Sequence, residues 1–317
     1  MIHQAHPPKF VKSSHLAVFA AKVSCGAPRD GAQGGPDAVI SSGIFHEMQS
    51  KSKLTMTFDV HNDENEGYPE SDFHGMKRPR AVSNATQHIS DLVYDQAREG
   101  NFVLTLRGDH SIGIGTVSGV AKAIRERHLG REIGVLWIDA HADINTPETS
   151  LSRRIHGMPV AFVSGLVKVR LQGVFDWLEE SYLINLQKLV YIGLRDVDDA
   201  ERDIIAQHNV KAFYIDDVKR DGIQHIMDTA LDHLGSETPL HVSYDINSLD
   251  PNWAPSTVFP VEPGLTREEG VYVAKRLAGT GQLVAMDLVE INPQIGPSKL
   301  GVTVESGCSV IKSALGF

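Results

Sequence analysis

The chain has 317 residues, 30 Lys plus Arg against 40 Asp plus Glu, a formal net charge of −10, 41% hydrophobic residues and a mean hydropathy of −0.16. That is a globular balance. Its acidic excess argues against non-specific binding to nucleic acid or anionic membrane, and no apolar run approaches the roughly 20 residues of a membrane span. Two cysteines, Cys25 and Cys308, are too few for a disulfide framework or a thiolate zinc site, so they are expected as small buried hydrophobes in a reducing, cytoplasmic compartment.

The first dozen residues carry neither the apolar centre of a secretion signal nor the Arg/Ser pattern of a transit peptide, and residues 1–13 are expected to form a flexible tail. Beyond it, short β-branched runs alternate with helical patterns. Strands are predicted at 16–21, 53–60, 102–106, 133–138, 189–192, 210–215, 241–244 and 283–287. Helices are predicted at 37–48, 84–99, 113–127, 200–208, 217–234 and 267–277, and the polar stretch 61–80 reads as a surface loop. Alternating strands and helices, with nearly continuous apolar strands, imply an α/β fold: a mostly parallel sheet covered on both faces. Right-handed crossovers then gather the strand C-termini along one edge, where such folds place their sites. No linker divides the chain, so residues 14–317 are expected to form one domain. A dinucleotide-binding reading fails on spacing, because Gly113 and Gly115 are followed by Ser118 and Gly119.

Three predicted strand ends carry carboxylates and imidazoles. Strand 102–106 runs into Gly108-Asp109-His110, strand 133–138 into Asp139-Ala140-His141-Ala142-Asp143, and strand 241–244 into Asp245-Ile246-Asn247. In extended chain, residues two apart point the same way. Asp139, His141 and Asp143 are therefore expected to project together, as are Asp245 and Asn247, if those segments stay extended. With His110 this makes a set of candidate ligands facing one crevice. Carboxylate-rich, imidazole-poor sets suit hard to borderline divalent ions, manganese above all, and shared carboxylates suit a two-metal site. A lone Asp-x-His is more often structural. Two carboxylates and an imidazole buried without a cation would cost several kcal/mol, which favours metal binding for D-x-H-x-D.

In this order, GDHS, WIDAHADINTP, HGMPV, YIGLRDVD, SYDINSLDP and MDLVEINP resemble the arginases of the ureohydrolase (arginase/agmatinase) family, over about residues 16–313. The resemblance implies a single three-layer α/β/α domain on a mostly parallel eight-stranded sheet, assembled as a homo-trimer or homo-hexamer. It implies one manganese ion held by His110, Asp139, Asp143 and Asp245, and a second sharing Asp139 and Asp245 and adding His141 and the residue at 247. It also implies a guanidino substrate, L-arginine, hydrolysed to L-ornithine and urea. By the same resemblance Asp143 orients the nucleophile, His156 shuttles protons and Glu290 pairs with the guanidinium. Asn145 and Ser152 would contact the α-carboxylate and Asp198 the α-ammonium, with Glu201 nearby. As isolated residues, Asn145, Ser152 and Glu201 would be solvated loop groups and His156 a helix-start histidine.

Four departures from the family pattern stand out. Position 247 is Asn rather than Asp. It offers a carbonyl oxygen without a charge, so it is either a weakened ligand to the second metal or a hydrogen-bonding residue beside a single one. Val258 and Phe259 replace a Gly-Thr pair. The Val gives up access to positive φ, and the Phe ring either stacks on a cation or occludes the pocket. Arg154 replaces Asn in the carboxylate-binding loop, where it could capture a carboxylate or repel a cationic substrate. Arg107 replaces a Gly and suggests an altered backbone ahead of His110. These changes leave open a slower arginine hydrolase, a hydrolase of another guanidino compound, and a catalytically impaired arginase-like binding or oligomer-forming protein.

Overall fold

Eight strands running the same way form one sheet in the computed structural model, which describes residues 7–12, 14–62, 72–168 and 173–317. They are β1 (His15–Lys22), β2 (Thr55–Asn62), β3 (Phe102–Arg107), β4 (Gly134–Ile138), β5 (Leu189–Leu194), β6 (Lys211–Tyr214), β7 (Leu240–Asp245) and β8 (Leu283–Val289). Their order is β2-β1-β3-β8-β7-β4-β5-β6, and every neighbouring pair is parallel. All eight predicted strands are present. The expected "mostly parallel" sheet is parallel throughout, because each connection crosses back over a face of the sheet.

The helices are α1 (Gly35–Ser41), α2 (Ile44–Lys51), α3 (Pro79–Glu99), α4 (Gly113–Arg127), α5 (Pro159–Val163), α6 (Asp199–Gln207), α7 (Ile215–Asp221), α8 (Ile223–Leu234), α9 (Arg267–Ala278) and α10 (Leu300–Ala314). One buried cluster joins Val103, Val135 and Trp137 of the sheet to Ile89, Val93, Val117 and Ile124 of α3 and α4. A second joins Leu104, Leu136 and Val242, on the opposite face, to Met227, Val273 and Ile311 of α8, α9 and α10. Alternate strand residues feed alternate clusters, which is the three-layer α/β/α arrangement of a single domain.

Local chemistry corrects several boundaries. The helix predicted over 37–48 is two helices, broken at Gly43 (φ 81°), and the one over 217–234 breaks at Gly222 (φ 83°). Helix α10 was not predicted. Its core face carries Thr303, Ser306, Gly307 and Cys308 along with Val310 and Ile311, so the apolar period is weak. The stretch read as a loop over 61–80 is shorter, since β2 runs to Asn62 and α3 starts at Pro79, while residues 63–71 lie outside the described residues. Within the expected tail, Phe10 is buried, and the Lys9 and Lys12 N–H groups donate to the Gly281 and Gly100 carbonyls; residues 1–6 and 13 lie outside the described residues. Both cysteines are free and buried. Among the described residues no helix is long and apolar enough to cross a membrane.

The centre of the sheet positions the site. β3, β8, β7 and β4 are consecutive neighbours, and parallel pairing brings their C-terminal ends to one edge. The chain leaves β3 and returns beyond β8 and β7 at β4, which opens a crevice at that edge.

Candidate active site

His110 follows β3 and Gly108. A Cβ on Gly108 would lie 1.9 Å from the Val23 carbonyl oxygen, so only glycine lets the segment after β1 pass this close. Asp109 then ties that segment down: its Oδ2 accepts the Gly26 N–H at 2.9 Å and its Oδ1 the Ser111 N–H at 2.9 Å. Arg107 is the last residue of β3, in regular register with Ala21. Its guanidinium is buried, with no protein hydrogen-bond partner on any of its three nitrogens.

His110 Nδ1 points at three carboxylates. It lies 3.1 Å from Asp139 Oδ2, 3.0 Å from Asp143 Oδ2 and 3.2 Å from Asp245 Oδ2. On its other side Nε2 is 2.9 Å from Ser243 Oγ, and the ring stacks on Trp137 with centroids 4.1 Å apart and planes 12° apart. Ser243 and Trp137 thus fix the imidazole so that Nδ1 faces the acids. Asp139 divides its oxygens. Oδ2 faces His110, and Oδ1 lies 3.3 Å from His141 Nδ1. His141 Nε2 in turn approaches Asp196 Oδ2 at 3.6 Å.

The local backbone differs from the extended geometry expected of D-x-H-x-D. β4 ends at Ile138, and Asp143 adopts φ 51°, so its carboxylate reaches His110 through a left-handed turn rather than by strand alternation. Asn247 lies in a single 3-10 turn, Ile246–Ser248, which Asp245 caps. The Asn247 N–H donates to Asp245 Oδ1 at 2.6 Å, its Nδ2 lies 3.4 Å from Asp245 Oδ2, and its side-chain carbonyl oxygen accepts the Thr257 hydroxyl. Glu290, just past β8, also has positive φ (67°). Its Oε1 accepts the His110 N–H at 2.9 Å, while the buried Oε2 has no partner in the protein.

Electrostatics follow from burying so many acids together. Burial alone would push the His110 imidazolium down, but Asp139, Asp143 and Asp245 outweigh it and hold its pKa well above the ordinary histidine value. Burial would raise Asp139, yet the two imidazoles hold it below the ordinary carboxylate range. Asp143, Asp245 and Glu290 are pushed up, first by burial and then by neighbouring carboxylates. His156 is pushed down to about 3 by burial and by the charges of His141, His110 and Arg154. Three acids held this close gain more from a cation than from sharing protons, and His110, Asp139 and Asp245 have donor atoms spaced to hold one.

Around this cluster opens a cleft of about 270 Å³. Its lining includes every residue named from the sequence as a site residue except Asp139, buried beneath it, and Arg154, whose Nη1 donates to the Ala27 carbonyl at 3.0 Å. At the outer end Asn145 Nδ2 donates to Asp198 Oδ2 at 2.9 Å, and Ser152 Oγ accepts the Arg154 N–H at 3.2 Å. Glu201 caps α6 by accepting the Asp198 N–H at 3.1 Å, and it accepts the Ile144 N–H at 3.0 Å; desolvation, with repulsion from Asp143, raises it to about 7. Phe259 lies against His156, with centroids 5.6 Å apart and planes 11° apart, and edge-on to His141 at 6.1 Å. Neither Val258 nor Phe259 is among the described residues with positive φ, so ordinary backbone suffices there.

Sequence reasoning missed Asp196, which lines the cleft, and Arg195 beside it. Arg195 donates to the carbonyls of Asn247 at 2.7 Å and Val261 at 3.0 Å, stapling the 247–261 segment to the end of β5. Both stand in the YIGLRDVD run, which was the available signal.

Comparison with known proteins decides the lineage. The profile of the Arginase family matches residues 14–316.

The chain belongs to the arginase family.

The arginase of Coccidioides posadasii is 50% identical to this arginase-family chain over 313 residues, covering 97% of this chain and 96% of the relative. That of Emericella nidulans is 47% identical, covering 96% and 95%. In fold it is similar to Entamoeba histolytica arginase, solved in complex with L-ornithine, with a TM-score of 0.85 at 26% identity over 98% of this chain and 100% of the other. Membership makes this chain a hydrolase of amidine C–N bonds.

Proposed function

We propose that this arginase-family chain hydrolyses the guanidino group of L-arginine, yielding L-ornithine and urea, with manganese bound among His110, Asp139, Asp143, Asp245 and His141. One observation carries the reading: Asp139 divides its two oxygens between His110 and His141, on two sides of one buried carboxylate. A carboxylate so shared suits a pair of cations, and a set of three acids and two imidazoles suits manganese. When bound, such a pair supplies Lewis acidity that makes water nucleophilic near neutral pH.

The chain's own groups do the rest. Glu290 Oε2, buried without a protein partner, is an open acceptor for a planar guanidinium. Asp143, facing the same space, accepts a proton from the attacking water. Water oxygen adds to the guanidinium carbon, the tetrahedral carbon collapses, the C–N bond to the side chain breaks, and the amine leaves with a proton. His156 lines the cleft and is held neutral by burial, so it relays that proton rather than storing one. Asn145, Asp198 and Ser152 at the outer end suit an α-amino acid head group. Arg154 acts instead as a clip to the segment after β1. A homo-trimer or homo-hexamer is part of the same reading, checked by native mass spectrometry.

The test combines elemental analysis with a urea assay. Protein loaded with manganese releases urea from L-arginine and carries up to two ions per chain, whereas chelator-treated protein releases none. No urea above the chelated control would overturn the reading. A better rate with agmatine or a guanidino acid would redirect it to another substrate.

A further inference from the structure

We propose that Phe259 is a positioning residue for His156: its ring is a fixed backstop that sets the plane of the imidazole facing the carboxylate cluster. The inference rests on the reading of His156 as the proton relay. The two rings are nearly parallel, with centroids 5.6 Å apart and planes 11° apart. Among the described residues no group hydrogen-bonds the His156 imidazole, although its backbone is held in the 3-10 turn Ile155–Gly157, with its N–H 3.4 Å from the Gly26 carbonyl and the Met158 N–H donating to the Ile155 carbonyl at 2.9 Å. Without the ring, rotation about χ2 would cost the imidazole little.

The backstop itself is anchored on both sides. Two residues before it, Thr257 is tied to Asn247 through its hydroxyl; two residues after it, the Val261 carbonyl accepts from Arg195 Nε at 3.1 Å and Nη2 at 3.0 Å. Val258 is buried next to it. The ring also stands edge-on to His141 at 6.1 Å, so it neighbours both imidazoles of the cleft wall while its other side is exposed. A stack presented from a tethered segment holds a plane that neither loop would hold alone. Stacked aromatic pairs are worth enough to bias an orientation about three- to tenfold, and that is the expected loss in turnover when the face is removed.

The experiment compares Phe259→Leu, which keeps bulk but not the face, with Phe259→Tyr, which keeps both. For L-arginine, Phe259→Leu lowers kcat about three- to tenfold with KM within about twofold, and Phe259→Tyr recovers most of the loss. On a His156→Ala background, Phe259→Leu costs nothing further, because the group it positions is gone. Independently of turnover, the His156 ring protons of chelator-treated protein resonate upfield through the Phe259 ring current, and that displacement disappears in Phe259→Leu. A rise in KM at unchanged kcat, an equal loss on the His156→Ala background, or unchanged His156 resonances would each overturn the assignment. If the wild type releases no urea, arginine hydrolysis fails as a reading, while the resonances still decide whether Phe259 holds His156.

Discussion

Thr257 donates its hydroxyl hydrogen to the side-chain carbonyl oxygen of Asn247. The amide end of Asn247 lies toward Asp245, so the one oxygen this residue could offer a second cation is already engaged. A carboxylate at this position would keep one oxygen on Thr257 and free the other. The variant Asn247→Asp is expected to bind the second manganese at least about tenfold more tightly, since even groups outside the ligand set change metal affinity by about 10–100-fold. Ion content after dialysis at falling manganese concentration checks this; equal occupancy in both proteins would sink it.

Glu290 carries the substrate end of the argument. Its Oε1 is committed to the His110 N–H, and the buried Oε2, which has no partner in the protein, is the acceptor the proposed function assigns to the guanidinium. Glu290→Gln keeps the shape and removes the charge. A hydrogen bond to a charged group is worth about 1.5–3 kcal/mol, so kcat/KM for L-arginine is expected to fall about 10- to 150-fold. Steady-state kinetics at saturating manganese test this, and a loss below threefold would remove Glu290 from the guanidinium.

Glu201 makes stability depend on pH. Burial and repulsion from Asp143 raise its pKa from 4.5 to about 7. Between those values the folded chain holds a proton that the unfolded chain has released. Stability therefore falls as pH rises through this window, by up to about 3 kcal/mol, and levels off above about pH 7. In chelator-treated protein, Glu201→Gln removes this part of the slope, at the constant cost of one acceptor to the Asp198 or Ile144 N–H. Urea unfolding from about pH 5 to 8 gives the comparison, and parallel curves would refute the assignment.

Arg107 is a buried cation whose nitrogens have no hydrogen-bond partner in the protein. Desolvation lowers it to about 9, against the attraction of Asp287 and Asp109. Burial raises the Asp287 carboxyl, while His241, Thr116 and then Arg107 hold it down. Asp287 keeps other partners without Arg107, since Thr116 donates to its Oδ2 at 2.6 Å and His241 lies 2.9 Å from the same oxygen. Arg107→Met keeps much of the length of the side chain and is expected to be neutral or stabilising by about 1–2 kcal/mol near neutral pH. Thermal unfolding decides it: a drop in Tm of several degrees would mean the cation is needed.

Much was legible from residue order. Apolar runs announced the six inner strands, because a strand buried on both faces must be apolar along its length, whereas the edge strands β2 and β6, also predicted, are exposed or half-buried over much of their length. The acids and imidazoles at the ends of β3, β4 and β7 could be assigned to one edge, because parallel strands share an edge. The glycines at 43 and 222 were also visible, but their power to break a helix depends on a left-handed φ that no spacing reveals. α10 hid because small and hydroxyl residues pack its core face.

The kind of chemistry was thus settled by sequence, since ligand types and strand ends are local properties. Direction was left to the tertiary structure. Asp143 and Glu290 reach the cleft through left-handed backbone, Asn247 turns its amide to Asp245, and Arg154 reaches back to Ala27 rather than into the cleft. The same holds for Phe259 and His156, far apart in the chain and stacked face to face. Side-chain direction depends on which distant groups compete for each donor, acceptor and ring face, and only the assembled sheet brings those competitors together.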